Sequence, residues 1–203
     1  MDNKKINDEV YDRVRLFHTD SVICGISAIA LRTNAPNILR DEALTEYSVN
    51  PDKKGSKNMH ISKCLGSKVW VHAEKAIAAN VSAVREWDSN GTVFGYNKTK
   101  EGHDAGEFGH NDFYPVVIAA CHSNPQYSGI DALKGMILID EIRGRLAEVF
   151  SLKTYKIDHV VHGAIASAAT YGAMLGATPE QIESAIGMVV AHYIPWRAIR
   201  AGK

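Results

Sequence analysis

The stretch HVVHGAIASAATYGAMLGATPEQIESAIGMVVAH, residues 159–192, decides the fold class. In its second half, Thr178 can cap a helix through its hydroxyl. Pro179 suits the first helical position, where its fixed φ fits and its missing N–H leaves nothing unpaired, and Gln181 takes the reciprocal place of a capping box. These signals predict a helix over 179–192. The first half predicts another over 159–175, and its run of Gly, Ala and Ser between Gly163 and Gly176 lets a neighbouring helix approach closely.

Upstream, the same periodicity recurs. Val10, Val14, Phe17, Cys24, Ala28 and Leu31 share one helical face and predict a helix over 8–31, with Pro36 expected to end it. A short helical stretch over 40–47 leads into NPDKKGSKNMHISK, residues 50–63, which reads as a surface loop. Ala73, Ile77, Val81 and Val84 predict a helix over 71–87 that delivers Asp88 at its C-terminal end. Residues 89–111 are rich in glycine, lack apolar periodicity and read as irregular chain, of the kind that carries sites in compact domains. Helices are also expected over 113–122 and 130–150. No run of alternating β-branched residues competes with them, so the fold class is all-α, a multi-helix bundle-like domain with no strong strand candidate.

Composition narrows the function. With 203 residues the chain can bury a sizeable core, and 45% hydrophobic against 23% charged residues is ordinary for a folded globular protein. Lys+Arg and Asp+Glu both number 23, which gives no reason to expect nucleic acid as a partner. Cys24, Cys64 and Cys121 are far apart and match neither a disulfide framework nor a zinc knuckle, so a reducing compartment fits. The acid-containing N-terminus resembles neither a secretory nor a transit signal, and the apolar run Val22–Leu31 is far short of the roughly 20 residues that span a bilayer. A cytoplasmic location and no membrane partner are the expectations.

Chemistry concentrates in REWDSNGTVFGYNKTKEGHDAGEFGHNDFYP, residues 85–115, which gathers Asp88, Thr92, His103, Asp104, Glu107, His110 and Asp112. From residue types alone, His103 and His110 beside carboxylates can be metal ligands, acid/base groups or solvated polar residues. Asp88 can simply terminate its helix, and Thr92 can hydrogen-bond the turn. Zinc-protease and phosphate-loop chemistry lack their motifs: there is no HExxH, no GxxxxGK[ST] and no GxGxxG.

Four blocks in one order, VREWDSNGTVFGYN, AGEFGHNDFYPV, KIDHVVHGAIASAA and HYIPWRAIRAG, resemble the 2-methylcitrate dehydratase family, within the group that includes cis-aconitate decarboxylase. The resemblance covers nearly the whole chain. It implies a hydro-lyase without a cofactor or metal, which removes water from 2-methylcitrate to give cis-2-methylaconitate in propionate catabolism, and a homodimer. It also implies an active site with an Asp, a Thr four residues on, a His before a proline-containing turn, and a His at the start of a helix. These map onto Asp88, Thr92, His110 and His159, with His162 one turn beyond as the alternative to the last. A tricarboxylate substrate needs cationic partners as well. Arg85, Arg197 and Arg200 are the candidates, although for the last two a solvated helix end explains them equally well.

Family members are more than twice this long and carry a second, α/β domain. Residues 1–203 are therefore expected to form the helical domain of a two-domain enzyme, incomplete at its C-terminus. The competing readings are an inactive remnant acting as a helical interaction module, and a related decarboxylase or epimerase of small tricarboxylic acids.

Overall fold

Asn7 starts the first helix by accepting the Glu9 N–H at 3.2 Å, and Asp8 and Glu9 place negative charge at the positive end of the helix dipole. A computed structural model describes the chain over residues 6–52, 60–89, 91–99, 101 and 107–196, and within 107–110 the backbone alone. Among the described residues there are seven α-helices: α1 Asp8–Ala30, α2 Asn34–Glu46, α3 Ala73–Arg85, α4 Tyr114–Ser123, α5 Gly129–Val149, α6 Val160–Met174 and α7 Pro179–His192. Four short strands accompany them: β1 Ile61–Lys63, β2 Trp70–His72, β3 Gly91–Phe94 and β4 Glu107–His110.

The all-α class stands, and α7 begins where its cap signals place it. Thr178 accepts the Gln181 N–H at 3.3 Å, and the Gln181 side chain accepts the Thr178 N–H at 2.8 Å. Four expectations are corrected. Arg32, at φ 54°, ends the first helical segment; Pro36 instead sits in the first turn of α2, where a backbone N–H would have no intrahelical partner. The loop expected over 50–63 contains β1, which pairs antiparallel with β2 in the register Ile61 to His72, Ser62 to Val71 and Lys63 to Trp70. The helix expected from residue 71 therefore starts only at Ala73. Residues 89–111 are not wholly irregular either: β3 and β4 form a hairpin ladder with Gly91 opposite His110 and Phe94 opposite Glu107.

α4 is the centre of the bundle. Tyr114, Val116, Val117, Ala119 and Ala120 are all buried, so this helix is covered on nearly every side. One core cluster joins Val14, Tyr114, Val116, Val117, Met136, Ile139 and Ala166, and so ties α1, α4, α5 and α6 together. A second joins Ala43, Cys64, Val71, Ala76 and Ala79, packing α2 and α3 on the small β1–β2 sheet. The glycines of α6 allow the close approach expected of them: Gly172 faces Ile182 of α7. Among the described residues no single helix is long and apolar enough to cross a membrane. Burial pushes the thiols of Cys64 and Cys121 above their ordinary range, which makes them poor nucleophiles.

Candidate active site

The site is built where α3 stops. Beyond Arg85 the chain turns, the Asp88 N–H donates to the Arg85 carbonyl at 3.0 Å, and Asp88 adopts φ 53°. That left-handed conformation is uncommon outside glycine; Asp tolerates it better than bulkier residues do. The turn brings the Asp88 carboxylate back onto its own helix, with Oδ1 2.5 Å from Nη1 of Arg85.

The other side of the same guanidinium faces Asp112, whose Oδ2 lies 3.8 Å from Arg85 Nε. Asp112 sits just before α4 and is buried, and its Oδ1 has no hydrogen-bond partner among the described residues. Its neighbour anchors it: the Asn111 side chain donates to the Phe17 carbonyl at 2.6 Å, and the Ser21 hydroxyl donates to the Asn111 carbonyl at 3.1 Å. Thus α1 positions the turn, and the turn positions Asp112.

Arg85, Asp88 and Asp112 line an open groove of about 470 Å³ together with Ser82, Glu86 and Val160. Val160 opens α6 immediately after His159. Asp158 is fully buried and caps that helix, its Oδ1 accepting the Val160 N–H at 3.1 Å and lying 3.6 Å from His159 Nδ1. The same carboxylate therefore fixes the helix start and the imidazole beside it. His162, one turn on, is buried with its ring edge-on to Phe150 at 5.0 Å, so it packs in the interior.

Thr92 lies on β3, opposite Gly109, and His110 lies one step further along β4, opposite Gly91. The ladder brings these two backbones side by side, while Thr92 is not part of the described groove lining. The His110 side chain, His103, Asp104, Arg197 and Arg200 lie outside the described residues. Arg85 is expected to hold substrate; in the structure it pairs with two carboxylates of the protein.

A family model described as MmgE/PrpD N-terminal domain matches residues 1–203. The chain belongs to that family. Within the MmgE/PrpD proteins it is similar to alkylcitrate dehydratase phiI from Fungal sp., with 26% identity over 223 residues that cover 100% of this chain and 39% of the relative. The chain thus spans about two-fifths of the length of that curated relative.

Two residues of consequence went unassigned in the sequence. Asp112 is in the motif-rich stretch, but nothing local distinguishes it from the other carboxylates there. Arg143 carried a readable signal: it falls on the apolar stripe Met136, Ile139, Arg143, Ala147 of α5, where a charge is out of place unless it has buried partners.

Proposed function

We propose that this MmgE/PrpD chain supplies the helical part of a dehydratase that converts 2-methylcitrate to cis-2-methylaconitate, without a cofactor. The reading is carried by one observation: Asp88 and Asp112, bridged by Arg85, share a groove with the first residue of α6, directly after His159. Dehydration beside a carboxylate needs a base for the proton and an acid for the departing hydroxyl, and carboxylates and imidazoles serve both. In this reading Asp88, Thr92, His110 and His159 act on the substrate. Arg85, Arg197 and Arg200 bind its carboxylates, Arg85 by exchanging a protein carboxylate for one of the substrate's.

The alkylcitrate substrate of the relative supports the substrate class, and the precise acid is part of the proposal. We also propose a homodimer in the cytoplasm. Leu16, Ile23 and Ile26 are exposed at 58%, 61% and 51% along one face of α1, which gives a second copy apolar surface to cover.

The test is the rise in ultraviolet absorbance of the conjugated product when the full protein meets 2-methylcitrate, with citrate alongside. Formation of product, abolished by Asp88→Asn, is the result expected. A folded protein that binds 2-methylcitrate without forming product would favour the interaction-module reading, and carbon dioxide release would favour the decarboxylase one.

A further inference from the structure

A two-stranded hairpin is marginal by itself in water, so the order of β3 and β4 must come from what they rest on. They rest on α5, through successive contacts. The ring of Phe94 is stacked on the Arg143 guanidinium, with 4.3 Å from Cζ to the ring centroid. Gly95, at φ +62°, lies so close to α5 that a Cβ would come within 2.6 Å of both the Ala147 Cβ and the Glu148 nitrogen. The Asn97 side chain donates to Glu148 Oε1 at 3.3 Å. Residues 94, 95 and 97 therefore follow the surface of α5 from Arg143 to Glu148.

Arg143 is also the point where this hairpin meets the site. It also lies against Phe113, 4.9 Å from Cζ to the centroid, and Phe113 is covalently next to Asp112. Its Nη1 lies 3.5 Å from Asp140 Oδ1, and Tyr114 donates to the other oxygen of that carboxylate. The guanidinium is buried, at 3% exposure, which makes each of these contacts stronger than it would be in water. Thr92 is two residues from Phe94 on the same half-buried face of β3.

We propose that Arg143 is a positioning residue: its planar guanidinium, in contact with the rings of both Phe94 and Phe113, registers the hairpin carrying Thr92 against the turn carrying Asp112. Its catalytic relevance rests on the dehydratase reading; its structural part does not. A lysine keeps the charge but has no plane to stack on either ring.

Hydrogen exchange of Arg143→Lys and Phe94→Leu in the full protein tests this. Phe94→Leu leaves the Arg143–Asp140 pair intact and removes only the hairpin's side of the stack, so it decides the matter even if the buried lysine is not tolerated. In both variants the amides of 91–94 and 107–110 should exchange roughly tenfold to thirtyfold faster, while those of α2 and α3 stay within about twofold. With 2-methylcitrate, kcat should fall more than KM rises. Unchanged hairpin exchange in Phe94→Leu, or equal acceleration throughout the molecule, overturns the proposal. A wild-type protein without dehydratase activity, but with the selective hairpin effect in the variants, would refute the functional reading and leave the positioning role of Arg143 standing.

Discussion

Gly163 of α6 meets the ring of Phe113 so closely that a Cβ at residue 163 would lie 2.2 Å from Phe113 Cε2. One turn before it, α6 begins at the groove, and the same ring lies against the Arg143 guanidinium, 4.9 Å from Cζ to the centroid. The ring thus packs against both a helix backbone and a buried guanidinium. Gly163→Ala should destabilise the protein by about 1–3 kcal/mol through overpacking, despite the better helix propensity of alanine. Urea unfolding monitored by circular dichroism checks this, and an unchanged or higher midpoint would mean that Phe113 can swing aside.

Asp88 holds its position at a conformational cost. Its φ of 53° suits glycine better than aspartate, and its side chain is 63% exposed, so its loss removes little packing. Asp88→Gly should therefore melt at or above the wild-type temperature, whereas Asp88→Asn should melt close to it. Both should lose about two or more orders of magnitude in turnover of 2-methylcitrate if the carboxylate is an acid/base group. Normal turnover in either variant would remove Asp88 from the mechanism.

How legible this was depends on the range of the interaction involved. The start of α7 was readable because Thr178, Pro179 and Gln181 act within one turn. Pro36 was misread because a proline fits the first turn of a helix as well as the stretch after one, and only Arg32, at φ 54°, distinguishes the cases here. The strands were missed because three or four residues are too few for alternation to register, and their partners are set by pairing across turns. Asp88 and Thr92 stand out only through family resemblance. The convergence of Asp88 and Asp112 on Arg85 depends on α1 holding Asn111 and on α3 ending at residue 85, relationships that no local pattern encodes.

Two half-buried histidines should make the fold acid-sensitive. Burial holds His18 below its ordinary range, and burial together with the Lys63 charge does the same for His122. Above about pH 6.5 both are neutral in folded and unfolded chains, and they add nothing to the pH dependence. Below it the unfolded chain takes up protons that the folded one refuses, so stability falls as pH falls from about 6.5 towards the depressed folded values. Asp140 acts oppositely: burial raises its carboxyl, and the folded chain regains stability as pH drops through that raised value. His122→Gln, which can still hydrogen-bond the Ser62 hydroxyl that now lies 2.8 Å from His122 Nδ1, should flatten the curve of unfolding free energy between about pH 6.5 and 5. A slope equal to wild type would exonerate His122.

α7 is the helix most dependent on its own end signals, since none of its residues is buried and it packs chiefly on α6. Its capping box satisfies two donors that would otherwise face water or nothing: the Gln181 N–H through Thr178 Oγ1, and the Thr178 N–H through Gln181 Oε1. Thr178→Ala removes the first bond and leaves the second, at a cost of about 1 kcal/mol. Because little tertiary burial couples α7 to the two core clusters, that cost should appear as local opening, not as a lower global midpoint. Amides of α7 should exchange about fivefold faster in Thr178→Ala, with those of α4 unchanged. If α4 amides accelerate equally, α7 unfolds together with the core, and its exposed packing on α6 is worth more than its burial suggests.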